Sequence, residues 1–557
     1  MNRRSFLLAA APLLLFPGRG VWAAAPDRAT RLLRGALLFD GTGAPPRQAD
    51  VALAGDRIAA VGPGLRAGRV PVTDLRGLAL APGFVDIHSH TDLNLLVNPR
   101  AESKVRQGVT TEVTGQDGGS VGPWTDAGYA EEREEFRERY GVDLPFRDLA
   151  GFFCWLDANG AAVHVASMVG QGTVRGFVVG EDDRPATADE MRRMREEVAR
   201  ALAAGACGLS SGLEYTPGAF GGTAELVELA GALAGTGLPY ASHVRNEDDR
   251  LFAAVEEAIH VGRMAGVPVE ISHLKAQGER NWWKAAATLQ AVEQARAAAV
   301  RVGFDAYPYV AYSTGLANLF PVSARDGGTD AFLARLRDPG QLAALEGAVR
   351  DKVAQLGSWD SVQVTSTGSD ALAWARGRKL GALAAERGEE PFALLVRLLV
   401  EDRSRAGMVG FGMSEENVER TLAHPLAAVC SDGAAWAPYG PLSVGVPHPR
   451  TYGTFPRVLG RYVRERKLLP LEQAIHRMTA LPARRVGLHD RGVVAPGARA
   501  DLVAFDPDTV ADRATFERPH QYPAGIPHVW VNGVAVIRDG EHTGARPGRS
   551  ARPRPAG

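Results

Sequence analysis

Cysteine is scarce. Cys154, Cys207 and Cys430 are the only three among 557 residues, and no CxxC pair occurs. Three thiols cannot make a disulfide framework, so the fold must be held by a core. An excess of one charge is also missing. Sixty-three Lys+Arg stand against 64 Asp+Glu, a formal charge of −1, and no overall field recruits nucleic acid or an anionic membrane. The 64 glycines and 35 prolines are spread between periodic segments and form no repeats, which excludes a fibre. No GxGxxG opens a helix after a strand, which counts against a doubly wound dinucleotide fold. What is present, 45% hydrophobic and 23% charged residues, is globular composition with material for a sizeable core. The length suggests more than one domain.

The first 23 residues are expected to be an address rather than a fold. Arg3-Arg4 precede Ser5-Phe6-Leu7, an apolar run and small residues around Val21-Trp22-Ala23, the order of a cleavable export signal. The string NRRSFLL has the form of a twin-arginine signal. The apolar run is broken by Pro12 and Pro17 and is too short for a stable membrane anchor. Cleavage after Ala23 removes Arg3, Arg4 and Arg19, taking the side-chain charge from −1 to −4. A periplasmic or secreted enzyme is therefore expected.

Short alternating strands separated by turn residues occupy residues 30–82 and recur at 486–545, the latter with an Asn532-Gly533 hairpin signal. Neither segment is long enough for a stable sheet domain, so one small β-sandwich built from both ends is expected. Between them, residues 83–485 alternate apolar strands with amphipathic helices, the pattern of an α/β fold. Eight strand candidates, from LAPGFVDIHSH to LAAVCSDG, predict a TIM-type (β/α)8 barrel. The seventh and eighth are too far apart for one crossover, so an insertion at about 314–366 is expected near the barrel mouth. The run EEREEFRER (Glu131 to Arg139) reads as a solvated helix with i,i+4 pairs. Cys207, Cys430 and Cys154, the last within FFCWL, are expected to be core filler.

His88 and His90, in PGFVDIHSH, are two residues apart at a strand end and so point to one face. His243 ends the fifth strand in YASHVRNE, His273 the sixth in EISHLK, and Asp432 the eighth in CSDG. Taken singly, each histidine could be a satisfied core residue. Together they gather at the C-terminal strand ends, where barrel enzymes place their chemistry.

These strings, together with QGVTTEVTGQDG, GLSSGLEYTPG, DAYPYVAYST, HPRTYGTFPRVLGRYVRE and RGVVAPGARADLVAFDP, resemble the D-aminoacylase branch of the amidohydrolase superfamily over nearly the whole chain. The resemblance implies hydrolysis of the amide of N-acyl-D-amino acids with one or two divalent ions, Zn²⁺ foremost. It makes His243 and His273 ligands of the tighter ion, His88 and His90 ligands of a second, and Asp432 the catalytic carboxylate. It gives Arg450 to the substrate's α-carboxylate, and Lys275, Tyr307 and Ser313 to its orientation. One departure concerns the metal: where such enzymes commonly carry Cys in GNCG, this chain has Gly115-Gln116-Asp117-Gly118. Asp117 is expected to act as a bridging ligand, harder than thiolate. A second departure is Gln171 in VGQGTVRG, where many relatives carry His.

Amide hydrolysis needs an activated water, a polarised carbonyl and a proton for the leaving nitrogen. A bound ion and Asp432 answer the first and third needs, and the metal with an imidazole or the Tyr307 hydroxyl answers the second. A dipeptidase, hydantoinase or dihydroorotase-like reaction is the alternative within the superfamily, and a non-catalytic barrel the alternative outside it. The HPR string favours a linear, carboxylate-bearing substrate, since guanidinium pairs bidentately with carboxylate.

Overall fold

The computed structural model describes residues 29–553. The expected leader, residues 1–23, lies outside them. Among the described residues no helix is long and apolar enough to cross a membrane.

The eight expected barrel strands are all present. They run Phe84–Asp86, Val109–Thr114, His164–Ser167 continued by Val169–Gly170, Leu209–Gly212, Tyr240–His243, Val269–Ile271, Val302–Ala306 and Ala427–Val429. Neighbouring strands pair in parallel, for example Leu209 with Tyr240, Tyr240 with Val269 and Val269 with Val302. The ring closes where the end of the eighth strand meets the end of the first. There Ser89 pairs with Gly433, and the Asp432 amide donates to the His88 carbonyl at 2.9 Å. Closure thus places Asp432 beside His88 and His90 through backbone geometry alone.

The connecting helices follow from local sequence. Thr187 caps the helix Ala188–Ala204 and Glu190 reaches back to complete a capping box, while Gly205 ends it in the left-handed region. Met194 and Val198, four residues apart, are its buried positions. The acidic-basic run forms the helix Asp126–Tyr140, with Phe136 its sole buried residue, as a solvated helix should. The next helix, Leu149–Asn159, corrects the expectation for Cys154. Phe152 and Phe153 face the core, and the turn carries Cys154 to the exposed side. Cys207 and Cys430 are buried, and burial pushes the Cys207 thiol up to about 12.

Both chain ends contribute to one nine-stranded sheet. Strand Ala79–Pro82 from the first end pairs antiparallel with Leu502–Phe505 from the second. Leu33, Val51, Leu80, Leu502 and Trp530 share a core there, each such side chain contributing about 1.5–3 kcal/mol on burial. This is the small β-sandwich beside the barrel.

Between the seventh and eighth barrel strands an inserted body extends further than the expected residues 314–366. Its three-stranded antiparallel sheet joins Tyr312–Gly315 and Val362–Ser366 to the central strand Gly407–Gly410. The helices Gly328–Arg337, Pro339–Leu356, Leu380–Arg387 and Pro391–Glu401 belong to the same body. Its packing is apolar, with Phe332, Leu336, Leu394 and Leu398 buried together. Strand Tyr312–Gly315 brings Ser313 and Thr314 to the barrel mouth, where they line the central cavity.

Candidate metal centre and substrate cavity

His88, His90, Asp117, His243, His273 and Asp432 converge beyond the C-terminal strand ends. His88 Nε2 lies 3.3 Å from Asp117 Oδ1, and His90 Nε2 lies 3.1 Å from Asp432 Oδ1. His243 Nδ1 and His273 Nε2 are 3.0 Å apart, and His273 Nε2 is 3.3 Å from Asp117 Oδ1. Three ligand groups result, of which two meet at Asp117: His88, His90, Asp117 and Asp432 on one side, and Asp117, His243 and His273 on the other, with Glu214, His243 and Glu247 the third. Asp117 belongs to the first two, the place a bridging carboxylate occupies.

The donor set fits a divalent ion. His88 Nδ1 and Nε2, Asp117 Oδ1 and His243 Nε2 are buried without a hydrogen-bond partner, a state that costs free energy unless something else satisfies them. Burial opposes charge on His90, yet Asp117 and Asp432 pull its pKa up to about 10. The carboxylate pair therefore calls for a cation at that nitrogen, and a proton and a metal ion compete for it. Imidazole and carboxylate together suit zinc and its first-row neighbours. The backbone agrees: Asp117, His273 and Asp432 have φ of 53°, 32° and 49°. Non-glycine residues held there cost on the order of 1–3 kcal/mol each, and such outliers cluster at functional sites.

Sequence reasoning missed the carboxylates behind the histidines. Asp305 Oδ1 lies 3.7 Å from His88 Nδ1 and accepts the His273 amide at 2.8 Å. Glu214 Oε2 is 3.6 Å from His243 Nε2, and Glu247 Oε1 is 3.1 Å from His273 Nδ1. Three of the four imidazoles thus have an acid near the nitrogen turned away from the centre, the arrangement that fixes ring orientation in metal sites. Asp305 sits in DAYPY and Glu247 in HVRNE, so an acid near each strand end was the available signal.

Beneath the centre, Lys104 is wholly buried. Its ammonium donates to Asp86 Oδ2 at 2.7 Å, Ser431 Oγ at 2.7 Å and the Gly433 carbonyl at 2.6 Å. Burial opposes this charge, but Asp86 and Glu112 hold the Lys104 pKa above its ordinary value. Lys104 therefore ties the strand carrying His88 and His90 to the turn carrying Asp432.

A cavity of about 370 Å³ opens over the centre, lined in part by Glu214, Tyr215, Lys275, Ser313, Asp432 and Arg450. Arg450 donates to Asp432 Oδ2 at 2.7 Å, with a second guanidinium nitrogen 3.4 Å from the Ser313 carbonyl. Burial alone would raise the Asp432 carboxyl, but Arg450, His273, His90 and His88 hold it well below the usual carboxylate range. Lys275 lies 2.6 Å from Glu247 Oε1 and 2.7 Å from His273 Nδ1, so it braces a histidine as well as lining the cavity.

Tyr307 departs from expectation. Its hydroxyl faces Met413 Sδ at 3.9 Å in a smaller cavity behind His273, while its ring stacks under the Arg450 guanidinium at 4.8 Å. The phenol in the central cavity is Tyr215, whose ring lies 4.8 Å from that of His243. Burial keeps the Tyr215 pKa well above its ordinary value, so it remains a donor. Gln171 is turned away from the centre and donates to Glu225 Oε1 at 2.9 Å.

A parallel barrel with an imidazole–carboxylate centre at its mouth and a β-sandwich at its side defines a metal-dependent hydrolase. Comparison with known proteins gives the family: residues 71–537 match the Amidohydrolase family, and the chain belongs to it. It is 40% identical to an N-acyl-D-aspartate deacylase of Alcaligenes xylosoxydans xylosoxydans over 534 residues, 95% of this chain and 96% of that one. Two solved structures resemble it along their full length and 94% of this chain. One is a D-aminoacylase with a binuclear metal centre (38% identity, TM-score 0.78). The other is N-acyl-D-glutamate deacylase from Bordetella bronchiseptica with zinc and a phosphonate mimic of the tetrahedral intermediate (36%, 0.80).

Proposed function

We propose that this chain is a zinc-dependent deacylase that hydrolyses the amide of N-acyl-D-amino acids, releasing a carboxylate and a free D-amino acid. The observation that carries the proposal is the shared cavity: a metal-ligating cluster with orphaned donor atoms stands beside a buried guanidinium. His243, His273 and Asp117 would hold one ion, and His88, His90 and Asp117 a second. An ion held there would supply Lewis-acid chemistry, lowering the pKa of a water towards 7 and polarising a carbonyl.

The protein's own groups supply the rest. Asp432 is ionised and lies within 3.1 Å of His90 Nε2, so it accepts the proton of the attacking water and returns it to the leaving nitrogen. Arg450 receives the substrate's α-carboxylate, a group it can bind through two parallel N–H donors. In the free protein that guanidinium rests on Asp432, which keeps both charges paired until substrate arrives. Ser313 and Lys275 border the same cavity and orient the amino-acid portion. Tyr215, near His243, is placed to donate to the carbonyl oxygen as negative charge develops.

The test is turnover of paired N-acyl-D- and N-acyl-L-amino acids by the zinc-loaded protein. Release of free amino acid from the D series, at least about tenfold faster than from the L series, is expected. Turnover of dihydropyrimidines or hydantoins with none of linear acyl amino acids would overturn the reading.

A further inference from the structure

Beside the central cavity runs a second space of about 410 Å³ that meets it at Asp117, Gly119 and Tyr215. On the Arg450 side a third space, of about 250 Å³, meets the central cavity at His90, Ser313, Thr314, Asp432 and Arg450. The second and third spaces share no lining residue. Two larger spaces therefore flank the centre, one beside the guanidinium and one beside Asp117, in addition to the small cavity behind His273.

The space beside Asp117 is built differently from the rest of the site. Its walls are Pro123, Trp124, Phe177, Tyr215 and Pro217 together with Thr125, Thr173 and Thr216, and among the described residues no lysine, arginine or histidine lines it. Its floor is backbone. A Cβ at Gly212 would lie 2.0 Å from the Asp117 carbonyl oxygen, one at Gly118 2.7 Å from the Gly212 amide, and one at Gly172 3.0 Å from the Gly118 oxygen. These glycines let the chain segments close on one another, leaving aromatic and proline faces above a smooth floor. Beyond Asp117 at the mouth, the charged side chain on the lining is Glu181, which is exposed.

From this we infer that the groove beside Asp117 receives the acyl chain of the substrate and favours an unbranched, uncharged chain longer than acetyl. The inference rests on the deacylase reading above. With the α-carboxylate on Arg450 and the scissile carbonyl over Asp117, the acyl carbon is the substituent that faces away from the guanidinium. A second carboxylate on the acyl group would meet Glu181 and, among the lining residues, no lysine, arginine or histidine to pair with, so a diacid half-amide is disfavoured. A half-buried methylene gains roughly twofold, so the six extra methylenes of octanoyl over acetyl are worth on the order of fiftyfold in kcat/KM.

Gly176 gives the test. It lies in the helix Gln171–Val178 without a left-handed φ. A Cβ there meets Pro217 Cγ at 3.5 Å and Glu181 Oε1 at 3.7 Å, ordinary contacts that leave the fold intact. In Gly176→Leu the side chain occupies the groove. The experiment measures kcat/KM of the zinc-loaded wild-type and variant proteins for two series. The first is N-acetyl-, N-butyryl-, N-hexanoyl-, N-octanoyl- and N-succinyl-D-alanine. The second is the N-acetyl derivatives of D-alanine, D-norvaline and D-norleucine. We expect the octanoyl-to-acetyl ratio to fall at least tenfold in the variant, with the norleucine-to-alanine ratio changed less than threefold. A flat acyl series in the wild type, a preference for succinyl over butyryl, or a variant that loses side-chain dependence would each overturn the assignment. A wild type inert to every member would overturn the deacylase reading itself, which separates the two failures. Circular dichroism on the variant, with Gly176→Ala as the smaller step, identifies any loss due to misfolding. A Gly176→Ala ratio lying between wild type and Leu supports occupancy of the groove.

Discussion

Replacing Lys104 with Met tests whether the buried network beneath the centre holds the site together. Lys104, Asp86 and Glu112 have no exposed side-chain surface. The ammonium supplies bonds to Asp86, Ser431 Oγ and the Gly433 carbonyl, each between 2.6 and 2.7 Å. Met nearly conserves the volume, so little of the effect comes from a cavity. What remains is an Asp86 carboxylate that keeps the Ser431 amide and hydroxyl but has lost its buried cation, and a carbonyl that has lost its charged donor. Breaking a buried pair from one side costs about 3–5 kcal/mol. Urea unfolding followed by tryptophan fluorescence should show the loss as a lower midpoint with an unchanged slope. Turnover should fall beyond what the folded fraction explains, because the turn carrying Asp432 is released from the strand carrying His88. A destabilisation under about 1 kcal/mol with normal turnover would refute the reasoning.

Two further outcomes follow from named contacts. Arg450→Lys removes the bidentate donor, so KM for N-acyl-D-amino acids should rise on the order of tenfold or more, with far less effect on carboxylate-free amides; equal effects on both would remove Arg450 from carboxylate capture. Asp501 links the sandwich to the barrel through His164 at 3.3 Å, Arg491 at 3.3 Å and the Asn532 amide at 2.8 Å. Burial would raise its pKa, but His164, Arg491 and the amide hold it below the carboxylate range. A depressed folded pKa means this stabilisation is complete above the ordinary carboxylate pKa and is lost as pH falls through the folded value. Stability of the wild type should therefore decline more steeply below about pH 4 than that of Asp501→Asn, and parallel profiles would contradict that role.

Much of the molecule was legible because barrel strands announce themselves as short apolar runs ending in functional residues. His88, His90, His243, His273 and Asp432 each sit at such an end, and ring closure brings them together with no further information. Asp117 was legible as a change of ligand type within a turn. The carboxylates of Glu214, Glu247 and Asp305 were not, since each acts on a histidine from another strand or at a distance that spacing does not encode. Lys104 reads in sequence as an ordinary helix lysine. Only the closed barrel reveals that its side chain passes inward to Asp86. The insertion was cut short at residue 366 because Gly407–Gly410 becomes its central strand through pairing with two distant segments. Tyr307 was given to substrate orientation by the family resemblance, whereas packing turns its hydroxyl to Met413 and leaves Tyr215 as the phenol at the centre.

Titration of the metal-free protein with Zn²⁺, following release of free amino acid from an N-acyl-D-amino acid, tests the central claim most directly. The account predicts negligible turnover without metal, recovery with one to two equivalents, and failure of Asp432→Asn to recover although it binds the ion. Full activity in the metal-free protein, or full activity in Asp432→Asn, would contradict it.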